Sequence, residues 1–288
     1  MTAWRLRVDL HMHTTYSDGL DTPTQLVAKA ARHGLHSIAI TDHDILTALP
    51  EAQAAGFDCG VEVLAGVELT VQYQAYDDIH MLGYCFDPTD PALQARLSQV
   101  QQHRVQRGVD MLERINTLLI AQGKVPLDSQ RVLQSARGAL TRPHLAQALI
   151  AQGYANGVQH AFEQFLIPCN VPKAALSPEE AFALVEHAGG VCVLAHPGTL
   201  STDPEVLHPL LATFKAMGLV GLEVYHHRHY PDTIALFQDC ATRYDLVATG
   251  GSDYHGRPEG AVLGQIAPGY EIPGHVLGDL QRVQAALR

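Results

Sequence analysis

The stretch Asp9-Leu-His11-Met-His13-Thr-Thr-Tyr-Ser-Asp18-Gly19 decides how this chain is read. It follows a short apolar run at 5–10 that reads as a strand. In extended backbone, side chains two residues apart share a face, so His11 and His13 present two imidazoles in one direction. Asp18 follows in a turn ended by Gly19. Paired histidines with a nearby carboxylate suit Zn, Mn or Fe. Taken alone, the segment leaves two readings open: a ligand pair, or a turn with incidental histidines.

The pattern recurs outward along the chain. A second apolar run closes with Ala39-Ile40-Thr41-Asp42-His43-Asp44, and a third with Gly66-Val67-Glu68-Leu69. His80 lies on a fourth, in Ile79-His80-Met81. A fifth ends in Leu194-Ala195-His196-Pro197, and a seventh leads into Gly251-Ser252-Asp253-Tyr254-His255. Six strands thus supply nine candidate metal ligands, nearly all at the C-terminal edge: His11, His13, Asp18, His43, Glu68, His80, His196, Asp253 and His255. In a barrel, the C-terminal strand edges converge on one rim, where active sites are built. Asp42 and Asp44, beside His43, read as groups that orient a ligand.

Strands are expected near 5–10, 37–41, 61–69, 78–85, 190–195, 220–225 and 246–250, with helices at 22–33, 177–187, 204–217, 231–244 and 274–287. Thr22-Pro23 and Ser177-Pro-Glu-Glu180 carry the start signals for two of these helices. Alternating strands and helices imply a parallel sheet, closed as a barrel or left open, and the converging ligands favour the closed or nearly closed form. The alternation stops between 96 and 175, which reads as helices at 96–121, 128–135, 142–150 and 157–166. The chain is therefore divided into a barrel of 1–95 with 176–288 and an inserted helical domain of 96–175.

Composition narrows the function. The chain has 288 residues, 47% hydrophobic and 17% charged. It can build a large core, which excludes disordered and low-complexity classes. The net charge of −11 argues against a protein that coats double-stranded DNA or an anionic membrane by bulk charge. Divided along the chain, that charge becomes −16 on the barrel and +5 on the insert. The five cysteines include no C-x-x-C pair, which fits a reducing cytoplasm, and no signal peptide or membrane span is read. Nothing points to an obligate protein partner.

The segments His11-Met-His13 with Ser17-Asp18-Gly19, Thr41-Asp42-His43, Ala195-His196-Pro197 and Gly251-Ser252-Asp253-Tyr254-His255 resemble, in order, the four motifs of the PHP (polymerase and histidinol phosphatase) family. The resemblance implies an α/β fold: a distorted (β/α)7 barrel with an inserted small all-helical domain. It also implies two or three divalent ions, with Mn2+ first and Zn2+ or Fe2+ as alternatives. Carried over by position, His11, His13, Glu68 and Asp253 would hold one ion. Glu68, His80 and His196 would hold a second, and Asp18, His43 and His255 a third. Asp18 stands where some members carry His. The insert, with Thr141-Arg-Pro-His144 inside it and Pro172-Lys173 at its exit, is similar to the 3′,5′-nucleotide bisphosphate phosphatases, whose relatives trim RNA from its 5′ end.

The chemistry expected is a phosphoesterase that removes the 3′-phosphate of a nucleoside 3′,5′-bisphosphate by attack of a metal-bridging hydroxide. No Ser-His-Asp set or P-loop is found. Arg104, Arg107, Ser135, Arg137, Arg142 and Lys173 are candidates for a second phosphate. His226 and Arg228, in His226-His227-Arg228-His229, read equally as substrate contacts or an exposed loop. The alternatives are 5′-to-3′ exoribonuclease action on a short RNA end, a histidinol-phosphatase-like activity, and a non-catalytic metal-stabilised module.

Overall fold

The computed structural model describes residues 6–135, 140–173 and 175–287. Strand β1 (Val8–Asp9) is followed by α1 (Pro23–Arg32), β2 (Ser37–Ile40), α2 (Leu49–Cys59), β3 (Glu62–Tyr73) and β4 (Tyr76–Tyr84). Helices α3 (Pro91–Ala121), α4 (Ser129–Ser135), α5 (Arg142–Ala151) and α6 (Val158–Ala161) come next, the last running into a π-turn at Phe162–Leu166. The chain then alternates through α7 (Pro178–His187), β5 (Val191–Leu194), α8 (Pro204–Met217), β6 (Gly221–His226), α9 (Pro231–Arg243) and β7 (Val247–Gly251). A small hairpin, β8 (Gln265–Ala267) with β9 (Tyr270–Glu271), precedes α10 (His275–Leu287).

Local signals account for the helix starts. The Thr22 side chain accepts the Gln25 N–H while the Gln25 side chain accepts the Thr22 N–H, and Ser177 likewise accepts the Glu180 N–H. Helix α2 was not expected from the sequence. Its N-cap is Ala48, which makes no side-chain cap bond, although Pro50 stands in its first turn and Gly60 ends it in a left-handed conformation.

The strands form one seven-stranded sheet in sequence order. Pairs β1–β2, β2–β3, β5–β6 and β6–β7 are parallel, but β4 is antiparallel to both β3 and β5. The expectation of a parallel sheet is corrected here. Only two residues join β3 to β4, with Gln74 at φ 52°, and so tight a turn leaves no crossover helix to make the pair parallel. β3 also runs on to Tyr73, past the end at 69 expected for it.

The ring closes beyond the short first strand. Leu10 donates to the Gly250 carbonyl, Asp253 to that of His11, and His13 to that of Tyr254. A closed barrel has no sheet edge to protect. The seven strands and their helices are the α/β barrel expected from the sequence. Inside it, Val8, Leu10, Leu82, Tyr84, Val191 and Val193 pack with Val276, Leu277 and Leu280 of α10. The buried Tyr84 hydroxyl donates to the Leu10 carbonyl at 2.6 Å.

The described chain divides into two compact units, 1–97 with 175–288 and 98–174. The second has its own core, in which Met111, Ile115, Leu119, Leu145, Leu149 and Phe165 are buried. Among the described residues, no helix is long and apolar enough to cross a membrane.

Candidate metal centre

Several candidate ligands are placed by backbone or carboxylate contacts in the loops after their strands. After β1, the buried Asp42 carboxylate accepts the Thr14 N–H at 2.7 Å, the Thr14 hydroxyl at 2.6 Å and the Ser17 hydroxyl at 2.5 Å. That clasp folds residues 14–18 back so that Asp18 returns towards His13. Gly19 is required in this turn, because a Cβ there would overlap the His13 carbonyl. Asp44 works one strand over: its carboxylate accepts the Thr70 N–H at 2.7 Å and the Thr70 hydroxyl at 2.9 Å. The two aspartates expected to orient His43 therefore bind backbone and hydroxyl groups on either side of it.

His80 stands near the middle of β4. Because β4 runs antiparallel, its first half lies at the rim formed by the C-terminal ends of the parallel strands. His196 sits at φ 25°, a conformation costly for a non-glycine residue, and its N–H is held by Glu223 Oε2 at 2.6 Å. Asp253 is also left-handed, at φ 56°, and its N–H donates to the His11 carbonyl at 2.8 Å. Ser252 and Gly264 are tied to the buried Asp9 carboxylate, which fixes the loop after β7.

The structure brings all nine candidates together around Glu68, which is 1% exposed. Glu68 Oε1 lies 2.8 Å from His80 Nδ1 and 3.0 Å from His196 Nε2. Its Oε2 lies 3.1 Å from His13 Nε2, 3.1 Å from His43 Nδ1 and 3.4 Å from His11 Nε2. Asp253 Oδ1 is 3.3 Å from His13 Nε2 and 3.5 Å from His11 Nε2. Asp18 Oδ1 is 3.1 Å from His255 Nε2 and 3.9 Å from His43 Nε2. Groupings able to hold an ion are His11–His13–Asp253, His11–Glu68–His196, His43–Glu68–His80 and His13–Asp18–His43–His255. These differ in detail from the expected clusters: Glu68 is absent from the first, His80 and His196 fall in separate groups with Glu68, and His13 joins Asp18, His43 and His255.

The imidazole tautomers test whether divalent ions fit. His11 Nδ1 donates to Glu223 Oε1 at 3.0 Å, and His255 Nδ1 to the Asp253 carbonyl at 2.8 Å. His13 Nδ1 donates to Ser17 Oγ, whose own hydrogen goes to Asp42. His196 Nδ1 donates to Thr199 Oγ1, whose hydrogen goes to the His196 carbonyl. His80 Nε2 donates to Asp78 at 3.1 Å. In each ring, when neutral, the bonded nitrogen carries the hydrogen, so the other presents a lone pair inward. Buried His11 Nε2, His13 Nε2, Asp18 Oδ1 and Glu68 Oε2 have no hydrogen-bond partner. His80 Nδ1 and His196 Nε2 even face each other at 3.3 Å. Lone pairs converge in this way where a cation belongs between them.

Electrostatics agree. Burial opposes charge on His13, yet Asp253, Glu68 and Asp18 hold its pKa up at about 10. Against the same penalty, Glu68 and Asp78 hold His80 at about 9. Burial would raise the Glu68 pKa, but His80, His43 and His11 keep it well below the usual carboxylate range. Without ions, protons on the imidazoles balance the carboxylates, and divalent cations would take their place.

A cavity of about 370 Å³ opens over this cluster, with Thr199, His227, Arg228 and Arg257 among its lining residues. Sequence reasoning missed Arg257, Asp78 and Glu223. Glu223 carried a signal, since a carboxylate inside the apolar run Gly221-Leu-Glu223-Val is unusual unless it has a buried partner. Of the substrate candidates, His226 is fully buried and is not among the cavity-lining residues. Arg107 is engaged within the helical unit, with its guanidinium on the Val171 carbonyl at 2.6 Å and on Asn170 Oδ1 at 2.9 Å. Arg142 lies over the Phe162 ring, while Arg104 and Lys173 are half-buried. Arg137 falls outside the described residues, and Ser135 ends α4.

Comparison with known proteins adds a family and named relatives. The PHP domain model matches residues 9–189. A 3′,5′-nucleoside bisphosphate phosphatase of Chromobacterium violaceum is 32% identical over 256 residues, covering 88% of each chain. A phosphoribosyl 1,2-cyclic phosphate 1,2-diphosphodiesterase of Eggerthella lenta is 32% identical, covering 86% of this chain and 94% of its own. The 5′-3′ exoribonuclease Rnm of Escherichia coli is 32% identical, covering 88% of this chain and 87% of its own. A solved structure from Bifidobacterium adolescentis, described as a metal-dependent phosphoesterase, superposes with a TM-score of 0.79 at 31% identity, covering 96% of this chain and 95% of that one.

Proposed function

This chain belongs to the PHP domain family and is a hydrolase of phosphate esters, and on that premise we propose that it removes the 3′-phosphate from nucleoside 3′,5′-bisphosphates. One observation carries the reading. The cavity over the Glu68 cluster also bears Arg228 and Arg257, so a site built for a phosphoryl group and divalent ions has guanidinium groups at its wall. A substrate with two phosphates suits both. Guanidinium binds the oxygens of a spectator phosphate in a planar fork, which orients the nucleotide.

Divalent ions in the cluster would neutralise phosphoryl oxygens and lower the pKa of a water molecule. Mn2+ is the ion we assign to the site. The protein's own groups hold the geometry. Glu68 and Asp253 aim carboxylate oxygens at the imidazole lone pairs, and Asp42, through Ser17, keeps the His13 tautomer. Glu223 does the same for His11 while pinning the His196 backbone.

A second reading is favoured by the relative named an exoribonuclease, which is as similar to the chain as the phosphatase. Both activities break an ester on the 3′ side of a nucleotide that carries a 5′-phosphate, so one site serves either. The test is direct. Manganese-loaded protein is given adenosine 3′,5′-bisphosphate and, separately, a 5′-phosphorylated oligoribonucleotide. Release of inorganic phosphate from the first supports the proposal. A ladder of shortened products with no phosphate release replaces it with the second reading.

A further inference from the structure

One buried ring at the centre has the opposite tautomer from its neighbours. His226 ends β6, and its Nδ1 accepts the Arg228 N–H at 3.2 Å. An imidazole nitrogen that accepts a hydrogen bond cannot carry the hydrogen, so in the neutral ring the hydrogen is on Nε2. That Nε2 is buried, lies 3.6 Å from Asp253 Oδ2, and has no hydrogen-bond partner. The five neighbouring rings described above turn a lone pair inward, whereas His226 turns a donor inward.

The backbone has been bent to put it there. Residues 223 and 226 are an odd number apart, so in a regular strand their side chains would face opposite sides. The β6–β7 register shifts between Glu223 and Tyr225, where two residues of β6 oppose one of β7. This bulge returns both Glu223 and His226 to the buried interior.

His226, His227 and Asp253 form a further grouping of metal-ligand atoms. The tautomer argues against an ion in it, because the His226 atom that faces Asp253 holds a hydrogen rather than a lone pair. Asp253 itself divides its oxygens: Oδ1 faces His11 and His13, and Oδ2 faces His226. Its backbone is left-handed, so the side chain is held at a strained position and needs an external restraint.

We infer that His226 is a positioning residue whose Nε2–H donates to Asp253 Oδ2 and so keeps Oδ1 directed at the metal centre. The separation must shorten by a few tenths of an ångström to reach the usual N–H···O range. The inference rests on the metal-centre reading of the site.

Two amides that imitate different ring nitrogens test it. H226Q places an N–H near the position of Nε2, whereas H226N places its amide near Nδ1 and leaves nothing facing Asp253. Metal-free wild type and both variants are titrated with Mn2+ by equilibrium dialysis. Thermal unfolding of the metal-free forms establishes that each is folded. The expected result is Mn2+ binding about 10–100-fold weaker in H226N, typical of losing an outer partner of a ligand, with affinity restored in H226Q. Equal affinity in H226N and wild type overturns the role. So does the loss of one whole equivalent of metal in both variants, which would make His226 a ligand. A wild type that binds no Mn2+ fails differently, by removing the metal-centre reading itself.

Discussion

Glu68 is a single buried carboxylate with five imidazole nitrogens within 3.4 Å, and a group in that setting is costly unless its charge is matched. Glu223 plays a supporting part: one oxygen takes the His11 hydrogen and the other the His196 N–H. In Glu223→Gln one of those acceptors becomes an N–H facing another N–H. Metal affinity, measured by competition with a chelator, should fall about 10–100-fold. Thermal stability of the metal-free protein should fall by about 1–3 kcal/mol, the cost of an unsatisfied buried group. Arg228 and Arg257 make a different prediction. Replacing either by Ala should raise KM for a nucleoside 3′,5′-bisphosphate by about tenfold, near the loss of one charge-assisted hydrogen bond, and should leave KM for a 3′-monophosphate nearly unchanged. The His-x-His pair was legible because period-two geometry acts within one strand. Arg257 was not, because it becomes a site residue only when the loop after β7 meets the cavity.

At the scale of elements, the site depends on irregularities more than on regular strands. The hairpin between β3 and β4 reverses one strand and so delivers His80 to the rim from mid-strand. The bulge in β6 turns two residues of opposite parity to the same side. Gly251 lies so close to His11 that a Cβ would overlap the His11 backbone and Cβ. Gly251→Ala should therefore cost about 1–3 kcal/mol in thermal stability, the usual range for overpacking, and should lower bound metal in the same sample, because the overlap pushes on His11, a candidate ligand. A stable variant with full metal content would show that the contact is not tight. Helix positions with caps were readable from sequence, as α1, α7 and α8 show. Helix α2 and the hairpin β8–β9 were overlooked although Pro50 and Gly60 bound the one and Pro268-Gly269 marks the turn of the other; α2 lacks a side-chain N-cap, and β8 and β9 are only three and two residues long.

For the whole molecule, metal bound at the candidate centre would be coupled to ring closure. The hydrogen bonds that close the barrel, Asp253 to His11 and His13 to Tyr254, run through the candidate ligand residues. Ions bound there favour the folded state by mass action, by about 2.7 kcal/mol at a hundred times the Kd. Stripping the protein with a chelator should lower its melting temperature by several degrees, and Mn2+ should restore it; an unchanged temperature would separate the ions from the fold. The sequence by itself determined the family and the barrel class, and it picked out the histidine and carboxylate candidates, because each depends on spacing within a short segment. Only the tertiary structure decided that Glu223 takes both the His11 hydrogen and the His196 N–H, and that the β6 bulge buries Glu223 and His226 together. Those depend on hydrogen bonds between residues as far apart as His11 and Glu223, which no local pattern records.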